Sequence, residues 1–354
     1  MLKSRPQPDE VEVSLFGPGY GESVVVHLGN DDWMIVDSFR PAGQPPIALA
    51  YLQGIGVAAD RVKLVVASHW HDDHIKGMSD LLEACPNATF CCSSAFRERE
   101  LLAFVELHDT PMSSLGSGVD ELRRILHRLD GRKYKWAGDG AQLWRRRPSP
   151  KAVVWSISPT SNAFRLATAA IANLAVEQGQ TKTRLTPSQL PNDLCVVLWV
   201  SVGDGNVLLG ADMEEPGGLD RGWSAVVRQD PVWDSCADVF KVPHHGSKTG
   251  HCDAVWEDLL KSRPSALVTP YTRQVRPLPT PADRIRIRAA TENAYTTATE
   301  IETTVIERSR GVQKFLSRAG RQPVVRSARG QIRLRASASV GSWSVETHPP
   351  AGRL

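Results

Sequence analysis

The stretch LVVASHWHDDH, residues 64–74, places three histidines and two aspartates directly after four apolar residues. The apolar run predicts a buried β-strand, and the polar residues after it predict a tight turn at the strand end. In such a turn His69 and His71 alternate toward one side, while Asp73 and His74 lie further round. Imidazoles and a carboxylate suit zinc, with manganese or iron as alternatives. The run therefore predicts a metal site.

The composition describes a globular protein. The chain has 354 residues, a formal net charge of +3 and 41% hydrophobic residues, which together suit one α/β unit rather than a disordered chain. The first ten residues are polar, and no run approaches the ~20 apolar residues of a membrane span. The six cysteines lack C-x-x-C spacing, so we expect reduced thiols. These features predict a cytoplasmic location and no membrane partner.

Short strands alternate with helical segments along most of the chain, which predicts an α/β fold with helices outside the sheets. Predicted strands cover residues 12–16, 23–28, 33–37, 64–67, 89–92, 137–144, 152–157, 195–202, 206–209, 239–242 and 266–269, and predicted helices cover 46–54, 78–85, 220–229 and 253–261. Residues 331–336 and 342–346 predict a terminal hairpin. We expect one domain over residues 11–281, with a helical insertion at about 161–190. A basic extension over residues 282–354 packs on that domain or extends it.

Two later strand ends carry further ligand types. Asp212 follows the apolar residues 207–211, and a carboxylate at that position can bridge two cations. The sequence VPHHGS at residues 242–247 places His244 and His245 directly after another predicted strand. Strand ends at one edge of an α/β sheet are where such sites assemble. The alternative is structural: a strand-terminal Asp is often a cap, and a lone His in a turn is usually not a ligand.

These stretches resemble the metallo-β-lactamase-fold metallohydrolases. The matching residues are Asp37 after its strand, SHWHDDH at 68–74, LLGADME at 208–214 and KVPHHGS at 241–247. The last two are most similar to the soluble metallo-β-lactamase domain of DNA-uptake competence proteins and its stand-alone relatives. The likeness covers roughly residues 11–281 and misses the insertion and the tail.

The resemblance implies a four-layer αββα sandwich with one or two zinc ions at its open edge. His69 and His71 would hold the first metal, and Asp73 and His74 the second. Asp212 would bridge the two metals. The second site would be completed by His244, with His245 as the reserve candidate. Asp37 would support the ligand loop through hydrogen bonds.

The chain departs from the family pattern at two places. Members with two full metal sites usually contribute another His from the loop before the strand that leads to the bridging Asp. Here that loop contains Asn192 and Asp193 and no His, so Asn192, Asp193 or water would have to substitute. A late His-Pro, which competence-type relatives often carry, is replaced by Pro277-Leu278-Pro279.

The implied chemistry is hydrolysis by a metal-activated water, with Asp73 as the catalytic carboxylate that orients it. No serine or cysteine nucleophile is required, and Ser247 is expected to be structural. The favoured substrate is a phosphodiester, which makes the chain a phosphodiesterase or nuclease. One alternative is a small lactam, lactone or thioester. Another is a non-catalytic binding protein on the same fold.

Basic stretches are the sequence support for a nucleic acid or nucleotide partner. Residues 132–151 interleave Tyr134, Trp136 and Trp144 with Arg and Lys, and residues 308–335 are rich in Arg. Lys248, beside Ser247, is placed to meet an anionic substrate. Each stretch also suits an ordinary solvated face with its tryptophans packed inward. The insertion is a candidate site for a protein partner.

Overall fold

The computed structural model describes residues 1–18, 21–41, 43–97, 118–129, 131–177, 190–272, 277–300, 304–305, 325–326, 329–339 and 342–354. Within these residues two eight-stranded sheets are formed, each partly parallel and partly antiparallel. The predicted helical insertion is described as far as residue 177 and again from residue 190. Most of the Arg-rich stretch 308–335 lies outside the described residues.

The first sheet has the order β17-β16-β1-β2-β3-β4-β5-β6. β3 to β6 run parallel to one another, and the other neighbours are antiparallel. Its strands are β1 (Glu10–Gly17), β2 (Ser23–His27), β3 (Trp33–Val36), β4 (Val62–Val66), β5 (Thr89–Ser93), β6 (Tyr134–Ala137), β16 (Gly330–Ser337) and β17 (Ser344–His348).

The second sheet has the order β18-β13-β12-β11-β10-β9-β8-β7, with β10 to β13 parallel. Its strands are β7 (Ala141–Arg146), β8 (Ala152–Ser156), β9 (Leu198–Val202), β10 (Gly205–Leu209), β11 (Ala237–Lys241), β12 (Leu260–Val268), β13 (Ala294–Thr296) and β18 (Gly352–Arg353). A separate pair joins β14 (Thr304–Val305) to β15 (Val325–Arg326).

Helices cover the outer face of each sheet. The α-helices are Ile47–Gly54, Asp72–Ile75, Met78–Ala84, Gly118–Arg128, Ser161–Glu177, Leu190–Asp193, Gly222–Val227 and Pro281–Ala290. Short 3₁₀ or π turns are Ala59–Arg61, Ser94–Arg97, His244–Gly246, Lys248–Gly250 and Val255–Leu259. None of the described helices is long and apolar enough to cross a bilayer.

Three apolar clusters make the layers. One cluster fills the space between the sheets, with Val26, Val200 and Leu334 among its fully buried members. A second joins the first sheet to its helices, and a third joins the second sheet to residues such as Trp223 and Ile287. Because alternate strand residues face opposite sides, each sheet can be buried on both faces. The predicted four-layer αββα sandwich is confirmed.

One local prediction fails. Residues 137–144, predicted as one strand, contain the end of β6 and the start of β7, which belong to different sheets. Gly138 and Gly140 lie in the crossing between the sheets, and Gly140 has a positive φ of 65°. Residues 253–261, predicted as a helix, are helical over residues 253–259, mostly as the π-helix Val255–Leu259, and β12 begins at Leu260.

Candidate metal centre

The three ligand-bearing stretches meet at one edge of the sandwich. The His69–His74 run follows β4, Asp212 follows β10, and the paired histidines follow β11. Several turn residues there have left-handed backbone without being glycine. These are Asp37 (φ 59°), Ala211 (φ 46°), His244 (φ 47°) and His245 (φ 54°). Such conformations are uncommon outside glycine, and they cluster where side chains must be aimed at a site.

The first donor group consists of His69, His71 and Asp212, and each offers one ligand atom within 4.8 Å of the others. Nε2 of His69 lies 3.1 Å from Nδ1 of His71 and 3.8 Å from an Asp212 oxygen. His69 and Asp212 are buried, while His71 is partly exposed. The group therefore opens toward solvent on the side of His71.

The second donor group consists of Asp73, His74 and His245, all of them buried. The Asp73 Oδ2 atom lies 3.1 Å from Nε2 of His245 and 3.7 Å from Nε2 of His74. Asp212 Oδ2 lies 3.4 Å from Nε2 of His74 and 3.6 Å from Nε2 of His245. Asp212 is thus shared between the two groups, which is the position of a carboxylate that bridges two cations.

Hydrogen bonds fix the Nδ1 atom of three of these rings, which is the ring nitrogen that does not face the cluster. Nδ1 of His74 is 2.7 Å from the Asp37 carboxylate, and Nδ1 of His69 is 2.9 Å from the Ser68 hydroxyl. Nδ1 of His245 is 3.0 Å from the carbonyl oxygen of Thr269. Asp37 also accepts hydrogen bonds from the Ser68 backbone N–H and hydroxyl, both at 2.7 Å. These partners turn each Nε2 toward the cluster, as outer-shell groups do in metal sites.

Two buried residues that the sequence analysis missed complete the centre. Lys241, the last residue of β11, places its Nζ 2.5 Å from Glu22 Oε1 and 3.7 Å from Asp212 Oδ1. It also donates to the carbonyl oxygen of Ala211 at 2.7 Å. Glu22 lies 3.8 Å from Nδ1 of His74. The available signal was a lysine inside the predicted strand 239–242, whose other residues are apolar, because an unpaired buried ammonium is costly and implies a carboxylate partner.

Glycine is required beside Glu22. Gly21 has φ 152°, and a Cβ there would lie 1.8 Å from the carbonyl oxygen of Asp73. This close approach lets the Glu22 backbone N–H donate to the same oxygen at 2.9 Å. The loop before β2 is therefore packed directly on the turn that carries Asp73.

The charges of the cluster shift its pKa values in opposite directions. Burial and the neighbouring rings of His74 and His71 hold the pKa of His69 well below its ordinary value. Burial also disfavours charge on His74 and His245. Even so, the carboxylates of Asp212 and Asp73 raise the pKa of both. In turn, despite their burial, His74 and His245 lower the pKa of Asp73 and Asp212.

The donor set fits bound cations. Lys241 supplies the single ammonium at this edge of the described structure. It is outnumbered by four buried carboxylates, those of Glu22, Asp37, Asp73 and Asp212. His74 Nε2 and Asp212 Oδ1 are buried without a hydrogen-bond partner, although they lie among donors and acceptors. Excess negative charge and unpartnered ligand atoms are what a divalent cation would neutralise. Histidine nitrogen with carboxylate oxygen is a zinc-type donor set.

The structure places His244, expected to complete the second site, beside Glu214 and Thr249. Its Nδ1 lies 2.8 Å from Glu214 Oε1 and 2.8 Å from the Thr249 hydroxyl, and it is not part of either donor group. The reserve candidate His245 stands beside Asp73 and His74 instead. Consecutive left-handed residues rotate the two side chains apart, so that only one of them can face the cluster.

The remaining predicted residues surround the centre. Asn192 is buried, and its amide nitrogen lies 3.5 Å from Glu214 Oε1. The hydroxyl of Ser247 accepts from the Thr249 backbone N–H and caps the turn Lys248–Gly250, a structural role. Lys248 is exposed at the surface of that turn. Among the described residues no His stands where the missing third imidazole of the first group would be.

Comparison with known protein families agrees with this fold. The profile of the metallo-beta-lactamase superfamily matches residues 16–255. A search of curated proteins returns no match.

Solved structures similar to the chain have low identity. One is AidC, a dizinc quorum-quenching lactonase (17% identity, TM-score 0.34, 54% of this chain and 55% of that chain). Another is Rm3 metallo-beta-lactamase (18%, TM-score 0.33, 61% and 64%). A third is the metallo-beta-lactamase with a HARLDQ motif from Cronobacter sakazakii (15%, TM-score 0.37, 67% and 78%). The chain thus spans less than two thirds of the length of the first two. On the profile match across most of its length, this chain belongs to the metallo-beta-lactamase superfamily of metal-dependent hydrolases.

Proposed function

We propose that the chain hydrolyses phosphodiester bonds in a nucleic acid or nucleotide, with two zinc ions as cofactors. The observation that carries this proposal is the position of Asp212, which lies between two buried donor groups and within 3.8 Å of a nitrogen in each. Paired cations that share a carboxylate are suited to in-line displacement at phosphorus, since both the attacking and the leaving oxygen can be stabilised.

The proposed ligands are His69, His71 and Asp212 for one ion, and Asp73, His74, His245 and Asp212 for the other. When bound, the ions act as Lewis acids and lower the pKa of water toward neutrality. As a cation ligand Asp73 would be held ionised, because a metal-bound carboxylate must be deprotonated. An ionised Asp73 can orient the attacking water by accepting a hydrogen bond from it.

Nucleophilic side chains near the centre are occupied, which supports water as the nucleophile. The Ser68 hydroxyl donates to Asp37, and the Ser247 hydroxyl caps its turn. Burial raises the pKa of the Cys195 thiol well above its ordinary value, so the thiol stays protonated. The open side of the site runs from partly exposed His71 and His244 toward exposed Lys248. The positive charge of Lys248 beside the site favours an anionic substrate over a neutral lactam.

Metal content and activity test this proposal together. We expect the zinc-loaded chain to bind two zinc ions by elemental analysis and to cleave bis-nitrophenyl phosphate. The variant His245→Ala removes a ligand, so its affinity for the second ion falls by more than the ~10–100-fold that loss of an outer-shell partner causes. His244→Ala is the matched control, and it should retain two ions. Asp73→Ala should lower turnover at least ~100-fold.

Three results would contradict the proposal. The first is a zinc content below one ion per chain. The second is loss of zinc from His244→Ala but not from His245→Ala, which would make His244 the ligand of the second ion, as expected from the sequence. The third is cleavage of a lactam, lactone or thioester by the loaded protein with no turnover of any phosphodiester, single- and double-stranded DNA and RNA included. That result would support the proposed metal centre and contradict the proposed phosphodiester substrate.

A further inference from the structure

A cavity of about 720 Å³ lies on the second sheet, away from the metal centre. Its volume is within the range of small-molecule sites, roughly 300–1,000 Å³. It is lined by residues of β7, β8 and β9, by the turn before β10 and the start of that strand, and by residues 232–235 before β11. The superfamily site at Asp212 makes no use of these residues.

Besides Arg146, three cationic side chains line this cavity: Arg145, Arg147 and Lys151, all of them exposed. In the part of the chain that the structure describes, none of them forms an ion pair. The guanidinium of Arg146, between the two arginines, is instead bound to Asp32 at 2.9 Å and to the carbonyl oxygen of Leu28 at 2.6 Å. Arg145 of β7 and Arg147, which directly follows the strand, both line the cavity, while Arg146 anchors the end of β7 to the first sheet.

The cavity also offers flat apolar surfaces. Trp155 of β8 and Trp233 are both partly exposed and line its wall. Trp233 stacks on buried Trp199 with ring centroids 4.4 Å apart and an interplanar angle of 14°. The stack fixes the orientation of Trp233 and leaves its ring available at the cavity. Rigid indole faces of this kind stack on nucleobases without regard to base identity.

Two carboxylates, Asp204 and Asp234, line the same cavity and are exposed. Guanidinium groups recognise phosphate, indoles recognise a base, and carboxylates accept hydrogen bonds from ribose hydroxyls. We propose that this cavity binds a nucleotide, free or as one unit of a single strand. The phosphate lies at Arg145, Arg147 and Lys151, and the base lies against Trp155 and Trp233.

This nucleotide cavity is separate from the catalytic edge. Gly203 and Asp204 precede β10 and line the cavity, whereas Asp212 follows the same strand. The five residues of β10 hold these two places about 17 Å apart. A ligand in the cavity therefore makes no contact with the donor groups, and its binding does not depend on the proposed phosphodiesterase activity.

Binding of AMP by the full-length zinc-loaded protein tests the proposal, since a phosphomonoester is no substrate for a phosphodiesterase. Calorimetry and quenching of tryptophan fluorescence should both report a 1:1 complex. The double variant Arg145→Gln, Arg147→Gln should weaken AMP binding at least about tenfold, because charge-assisted hydrogen bonds to the phosphate are lost. Exposed Arg288 is the matched control, and Arg288→Gln should bind AMP as the parent does.

Further measurements show which parts of AMP are recognised and distinguish the cavity from the metal centre. Adenosine and inorganic phosphate should each bind at least about tenfold more weakly than AMP, and Trp155→Leu should weaken AMP but not phosphate. Asp212→Asn should leave AMP binding unchanged. Displacement of AMP by an oligothymidylate assigns the cavity to a strand, and failure to displace assigns it to a free nucleotide. Unchanged AMP binding in the double arginine variant, or its loss in Asp212→Asn, overturns the proposal.

Discussion

His27 is a histidine that the fold keeps uncharged. It lies on β2, its side chain is buried, and the backbone N–H of Asp31 donates to its Nε2 at 3.1 Å. Burial lowers its pKa from 6.5 to about 4, with partly offsetting contributions from the backbone of Glu10 and the charge of Asp31. The ring also packs against Trp33 with centroids 4.7 Å apart. Protonation of this residue therefore favours the unfolded chain.

We expect this burial to appear as an acid sensitivity of folding. Between pH 6.5 and 4 the unfolded chain binds a proton that the folded chain does not, so stability is complete above pH 6.5 and falls as the pH is lowered. Full titration corresponds to about 3 kcal/mol. Urea unfolding of the parent and His27→Gln at pH 7 and pH 4 should show the larger loss in the parent. Parallel losses in the two proteins would show that His27 does not carry the effect.

The site residues differ in how far sequence could predict them. His69, Asp73 and Asp212 were predictable because short apolar strands place the next polar residue at a sheet edge. The choice between His244 and His245 was not, since it depends on two left-handed residues that nothing in the letters HHGS specifies. The role of Glu22 could not be predicted from the sequence for another reason. Its role arises from a loop that meets Asp73 and Lys241 only after the sheets have assembled.

The helix Pro281–Ala290 shows how an outer element supports the ligand turn. Its start is a capping box: the Thr280 hydroxyl accepts from the Asp283 backbone N–H, and the Asp283 carboxylate accepts from Thr280. Asp283 also pairs with Arg286, whose guanidinium donates to the carbonyl oxygen of Gly246 at 2.8 Å. The cap is thereby connected to the turn that carries His245.

Removal of this cap should destabilise the protein measurably. Thr280→Ala deletes the hydroxyl and leaves helix N–H groups unsatisfied, which costs about 1 kcal/mol. Urea unfolding at neutral pH measures the loss. Thr347→Ala, at an exposed position of β17, is the control and should change stability by less than ~0.5 kcal/mol. Equal effects of the two substitutions would mean that the cap contributes nothing specific.

Elements with local signals were predictable, and those that depend on distant partners were not. The strands at residues 23–28, 33–37 and 206–209 have apolar runs between turn residues, and each is found within a residue or two. Residues 137–144 have the same local pattern, yet β6 and β7 pair with different neighbours. Membership of a sheet is decided by long-range pairing, which periodicity does not report.

At the scale of the whole molecule, a buried ion pair joins the two ends of the described chain. Glu12 of β1 is fully buried and lies 2.7 Å from a guanidinium nitrogen of Arg335 on β16. Its other oxygen accepts hydrogen bonds from Tyr51 at 2.6 Å and Ser14 at 2.8 Å. The carboxylate is therefore fully hydrogen-bonded only when both strands are in place.

Breaking this pair should cost far more than breaking an exposed one. Arg335→Met leaves the Glu12 charge buried without its partner, and we expect a loss of about 3–5 kcal/mol. Arg263→Met, which removes a pair whose side chains are 77% and 67% exposed, should cost less than ~1 kcal/mol. Thermal and urea unfolding of both variants provide the comparison. A small loss for Arg335→Met would show that water reaches Glu12.

The pairing of β1 with β16 has a consequence for how the protein is made. The two strands are in register from Glu10–Ser337 to Gly17–Gly330, and Glu12 and Arg335 are separated by 323 residues. During translation β1 is synthesised long before β16. Until the ribosome has added β16, the edge of β1 that pairs with it has unpaired backbone N–H and C=O groups. An open edge recruits other strands, so slow elongation or a premature stop exposes a seed for aggregation. Completion of the first sheet must therefore wait for the synthesis of β16, and chaperone demand should peak on nascent chains that still lack this strand.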